Sequence, residues 1–101
     1  MQRFVRTGVP ALSALLIAGA TARADDWVLR RETSSNACRV ELAAASPLGV
    51  IQLAGPFPSR SDACNAALNQ YDSSMSDPSK CWSYVYQTIN WCMGEGVALP
   101  H

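Results

Sequence analysis

Four cysteines, one histidine and a scatter of carboxylates are the residues of this chain whose types could carry chemistry. Cys38, Cys64, Cys81 and Cys92 are separated by 25, 16 and 10 residues. Zinc ribbons place their cysteines about two to four residues apart, and a thioredoxin-like redox site needs Cys-x-x-Cys; neither spacing is present. An even number of widely spaced cysteines in a short chain reads instead as two disulfides, with three connectivities open. The only histidine is His101, the last residue. Histidine is the usual general base for a Ser or Cys nucleophile, so triad or dyad chemistry has no donor in the body of the chain. Gly-x-Ser-x-Gly, His-Glu-x-x-His and phosphate-cradling glycine loops are absent. Glu32, Glu41, Asp62 and Glu95 form no recognisable carboxylate pair and read as solvated surface charge. Asp72, Ser74 and Ser76 occupy positions 1, 3 and 5 of a calcium loop, but Asp77 stands where glycine is needed and Ser83 where a bidentate glutamate is needed. That segment reads as a polar loop, with no metal and no cofactor expected.

The compartment follows from the first residues. Met1–Ala24 reads as a secretory signal peptide: Arg3 and Arg6 give a positive start, residues 11–20 form a short apolar run, and Ala22-Arg23-Ala24 has the small-x-small form of a cleavage site. The apolar run is about half of what a bilayer span requires. No cysteine lies near the cut and the arginines are not adjacent, which argues against a lipid-modified or twin-arginine signal. Removing 24 of the 101 residues leaves a single small domain, residues 25–101. In it five basic residues face eight acidic ones, a net charge of −3. A net-negative domain is poorly suited to phosphate backbones, so nucleic acid is excluded as a partner. The expected location is periplasmic or secreted, with no membrane span after cleavage. Exported domains of this size lack a large core, and each disulfide contributes roughly 3 kcal/mol on the chain-entropy model.

The elements that must position these residues are legible in outline. Trp27–Arg31 and Cys38–Ala43 read as a β-hairpin closed by Thr33-Ser-Ser-Asn36. Val50–Ala54 reads as a third strand, ended by Gly55-Pro56-Phe57-Pro58 because proline cannot donate to a ladder. A helix follows, capped by Ser59 or Ser61, with Asp62 in its first turn. Cys64, Ala67, Leu68 and Tyr71 form its predicted core stripe. Residues 72–79 form a loop. Residues 80–93 fit both periods; aromatic and β-branched enrichment favours a strand first, then a turn or short helix near Thr88–Trp91. The tail from Gly94 is expected to fray. The fold class is therefore α+β, a small antiparallel sheet of three or four strands with one helix packed on it, stapled by two disulfides. In that layout Cys38 pairs with Cys64 and Cys81 with Cys92.

Trp82, Tyr84 and Tyr86 alternate with smaller residues, and a strand would place all three on one side. Facing solvent, such a row would stack on sugar rings or grip a peptide; facing inward, it would be core beneath the helix, which a small domain favours.

The segment Ile51-Gln52-Leu53-Ala54-Gly55-Pro56-Phe57-Pro58-Ser59-Arg60-Ser61-Asp62-Ala63, running on to Ala66 and Leu68, resembles a half-repeat of SPOR domains. That family has a strand, a Gly-Pro-Phe or Gly-Ser-Phe turn, and a helix opening on a Ser-Arg-x-x-Ala pattern. The resemblance covers about 18 residues and implies an envelope module that binds peptidoglycan glycan strands. Ala54 is an insertion relative to the family pattern, a second helix is not visible, and four cysteines are unusual for it. The leading expectation is thus a non-catalytic exported protein that binds a protein or envelope component. A SPOR-like glycan binder and a secreted inhibitor or toxin-like module are the alternatives, and an enzyme is not expected.

Overall fold

The computed structural model describes residues 23–100. The signal-peptide reading of Met1–Ala24 and the terminal His101 therefore fall almost wholly outside the described residues. Alternating residue types build the first hairpin as expected. Strand β1 (Trp27–Glu32) and strand β2 (Ala37–Leu42) pair antiparallel, with Trp27 opposite Leu42, Leu29 opposite Val40 and Arg31 opposite Cys38. Asn36 closes the turn at φ 63°, a left-handed position that asparagine tolerates, and its N–H donates to the Glu32 carbonyl at 2.7 Å.

Strand β3 (Val50–Phe57) pairs antiparallel with the other side of β1. It does not stop at Ala54 but runs on through a cis Gly55–Pro56 bond, with the register shifting on either side of Leu29. The strand survives its proline because it lies at the sheet edge and is bulged there. Gly55 sits at φ 109°, and a Cβ on it would lie 3.1 Å from the Trp27 carbonyl oxygen and 3.2 Å from the Val28 Cα. Only glycine lets the two strands approach so closely.

Helix α1 (Arg60–Asn69) begins where the sequence places it. Ser59 is its N-cap, the Oγ accepting the Asp62 N–H at 3.1 Å. Its inward face is Ala63, Cys64 and Ala67, three small side chains that bring the helix close to the sheet. Leu68, expected on that face, is 41% exposed, and Tyr71 falls beyond the helix, where it bridges to Cys81.

The C-terminal third departs most from expectation. Strand β4 is only Ser83–Tyr84, and it pairs in parallel with β2. A second helix, α2 (Tyr86–Gly94), follows at once. The sheet order is β3-β1-β2-β4, so the sheet is mixed rather than wholly antiparallel, and among the described residues two helices are present rather than one. Helix α2 takes over the β2 edge where β4 leaves it: the buried Thr88 Oγ1 accepts the Val40 N–H at 2.9 Å. The tail does not fray. Val97 N–H donates to the Cys92 carbonyl at 2.8 Å, and Leu99 is buried in the core.

Both disulfides form, with different partners from those expected. Cys38 joins Cys81 across 43 residues, and Cys64 joins Cys92 across 28. The parallel approach of β4 sets Cys81 beside Cys38, and α2 returns past α1 to set Cys92 beside Cys64. The two bridges interleave along the chain. All four cysteines are fully buried and make up four of the nine residues of the central cluster, with Leu29, Val40, Ala63, Ala67 and Leu99. The staples are not added to a core; they are part of its centre. Among the described residues no helix is long and apolar enough to cross a membrane.

Candidate functional site

The expected aromatic row is broken by the fold. Tyr84 points inward: its ring stacks on Tyr71 at 4.9 Å with the planes 17° apart, and its hydroxyl donates to the Ala67 carbonyl at 3.0 Å. Burial, with Tyr71 as a lesser cause, pushes the Tyr84 hydroxyl pKa well above its ordinary value. Trp82 is half-buried, its Nε1–H donating to the Asp77 carbonyl at 3.4 Å. Tyr86 stands in the first turn of α2 and is 77% exposed. Tyr84 and Tyr86 are parted, the first inward and the second exposed, because the strand that would align the row ends after two residues.

A different aromatic cluster forms from residues far apart in sequence. Trp27 at the start of β1 and Trp91 on α2 meet edge to face, with ring centroids 5.5 Å apart and planes at 87°. The Arg60 guanidinium lies 5.5 Å from each ring centroid. Glu95 Oε2 accepts from Arg60 at 2.9 Å. Arg60 is the first residue of α1, where a cation opposes the helix dipole; the carboxylate and the two ring faces offset that. No local spacing announces this cluster, since residues 27, 60, 91 and 95 meet only once α2 crosses the helix side.

The carboxylates are also placed otherwise than expected. Glu41 is buried, accepting from Arg30 at 2.7 Å and from Arg39 at 3.0 Å. Arg39 pairs in turn with Glu32, and Arg30 also donates to the Ala45 carbonyl at 2.7 Å. Together they cover the sheet face opposite the helices. A hydrogen bond from the Ser35 hydroxyl, and then one from Arg39, lowers the Glu32 pKa; Glu32, followed by Glu41, raises that of Arg39. Glu32, Glu41 and Glu95 are thus arginine-paired rather than free surface charge, and Asp62 is the one that stays exposed.

The loop that imitates a calcium motif satisfies itself. Asp72 Oδ1 accepts the Ser74 N–H at 3.0 Å and the Ser74 hydroxyl at 2.6 Å. Asp77 Oδ1 accepts the Ser79 N–H at 2.9 Å and the Ser79 hydroxyl at 2.6 Å. These serine bonds hold both carboxyls below their ordinary pKa and build consecutive Asx turns. Among the described residues no group of histidine, cysteine, aspartate or glutamate is arranged to hold a metal, and no enclosed pocket opens. Searches of family models, curated proteins and solved structures give no match to this chain.

Proposed function

We propose that the protein is a non-catalytic, disulfide-stapled module of the periplasm or cell exterior that works by binding a protein or envelope component. The observation that carries this reading is the pairing of all four cysteines in two fully buried bridges at the centre of the core. Such a core forms and persists in an oxidising compartment, and the basic, then apolar, then small-residue pattern of residues 1–24 supplies the route there. Three features support a role without catalysis. Glu32, Glu41 and Glu95 are engaged by arginines. Asp72 and Asp77 are engaged by serines. Among the described residues no enclosed pocket opens, which suits a macromolecular partner more than a small substrate.

The strand-turn-helix order of Val50–Phe57 and Arg60–Asn69 also fits the SPOR-like alternative, in which the partner is a glycan strand. Intact mass of the exported protein, with and without reduction before alkylation, tests the main reading. It predicts loss of residues 1–24 and no alkylation until reduction, when all four cysteines react. A retained leader or thiols that react without reduction would overturn it. Co-sedimentation with purified cell walls separates the two partner classes, since only the glycan reading predicts depletion from solution.

A further inference from the structure

The two edges of the sheet are finished differently. On the far side, β4 contributes only two residues, and Thr88 of α2 occupies the next β2 donor. On the near side, β3 presents eight residues with no charged side chain among them. From Leu53 onward it carries the bulges and Pro56, which discourage further pairing. Its first three residues, Val50–Gln52, keep a regular register and have neither device.

The direction of the free groups follows from the ladder. Thr33 N–H donates to the Gly49 carbonyl at 2.9 Å, in register with Glu32–Val50, Arg31–Ile51 and Arg30–Gln52. In an antiparallel ladder hydrogen-bonded and non-hydrogen-bonded pairs alternate. Ile51 therefore bonds to β1, while the N–H and C=O of Val50 and Gln52 point away from the sheet. Among the described residues nothing bonds those groups.

We propose that this edge pairs antiparallel with the same edge of a second copy of the chain, about a two-fold axis at Ile51. In that register Val50 of one copy faces Gln52 of the other, and the outward N–H and C=O of both residues are satisfied in both copies. A slip of one residue sets outward groups against inward ones, and a slip of two leaves Val50 or Gln52 unmatched. Ile51 stands opposite itself as a non-hydrogen-bonded pair, the arrangement in which side chains come closest. It is 45% exposed, and Leu48, just before the strand, is 97% exposed. Charge is compatible with this occupant: no like charges meet along the edge, and the row that runs from Arg30 through Gln52 leads to Val50 and Glu32 of the second copy. The strip is short, so the dimer is transient rather than obligate. The inference stands independently of which larger partner the protein serves.

Sedimentation equilibrium of the oxidised protein, from micromolar to about 1 mM, tests this. A concentration-dependent monomer–dimer equilibrium is expected. Gln52→Pro removes a donor that β1 does not use, and Ile51→Lys sets two ammonium groups face to face; each should abolish the dimer while circular dichroism and both disulfides are retained. If Gln52→Pro does not fold, Ile51→Lys decides alone. Ile51→Cys should give a covalent dimer through residue 51 on oxidation. A wild-type monomer across the whole range overturns the proposal. So does a dimer that survives in a folded edge variant, or an edge that takes an extended peptide without self-association.

Discussion

On the helix side of the sheet Leu29 lies opposite Val40, and Cys38 lies opposite Arg31; one residue further along each strand, on the other side, Arg30 lies opposite Arg39 and Val28 opposite Glu41. The first face is closed by α1, two disulfides and the docked tail. The second is closed by side chains of its own, Arg30 and Arg39 converging on the buried Glu41. The same period-two alternation thus produces two buried surfaces held by opposite means. Without enough apolar mass for two cores, the chain uses covalent bonds under the helices and ion pairs over the back. The difference teaches that alternation assigns a residue to a face and says little about whether that face meets water.

The comparison can be broken most severely on the helix side. Replacing the second bridge by Cys64→Ala with Cys92→Ala should cost about 2–5 kcal/mol, read as a lower urea midpoint. On the opposite face Glu41→Ala leaves two arginines without their shared acceptor and should cost about 2–3 kcal/mol. If that variant melts like the wild type, the outer face is not a second buried layer and the contrast fails. A smaller effect is expected of Thr88→Val, which keeps shape but strands the Val40 N–H; about 1–3 kcal/mol is expected, with faster amide exchange at Val40.

The smallest effect is a pH dependence, seen most directly at Glu32 on the outer face. The Glu32 carboxyl is held below its ordinary value of 4.5 by Ser35 and Arg39. A carboxylate with a lowered folded-state pKa stabilises above its unfolded pKa and loses that contribution as pH falls through the folded value. The melting temperature should therefore decline as pH drops below about 4.5, and Glu32→Gln should flatten part of that decline. Asp72 and Asp77, held low by Ser74 and Ser79, contribute a further part, while the core disulfides carry no proton.

The parts of this fold that were legible in the sequence are those determined locally. Thr33–Asn36 makes a turn by its own chemistry, and Ser59 caps α1 through a bond to a residue three positions on. Four widely spaced cysteines, an even number in a short chain, indicate two bridges without any knowledge of the layout. Their pairing was not legible, because it depends on β4 running parallel to β2, and two residues of pairing leave no periodic trace. Residues 80–93 satisfied both periods for a physical reason: Tyr84 pairs as a strand and Thr88 and Cys92 face inward as a helix, within one stretch. The Trp27–Arg60–Trp91–Glu95 cluster was equally hidden, since it is assembled by a crossing of elements and not by spacing. Glu41 read as surface because nothing local says that two arginines from neighbouring strands will roof it.

The interleaving of the two bridges has a consequence for how the protein meets a protease. A protease that cuts once anywhere between Cys38 and Cys92 meets at least one bridge spanning the cut, because every peptide bond in that interval lies inside the Cys38–Cys81 loop, the Cys64–Cys92 loop, or both. A clip in the serine-rich loop at residues 72–80 therefore yields two polypeptides that stay joined and, on a non-reducing gel, keep the mobility of one. Damage to the backbone is not loss of the molecule; only a reductant, or a second cut that frees an unbridged stretch, turns a nick into fragments.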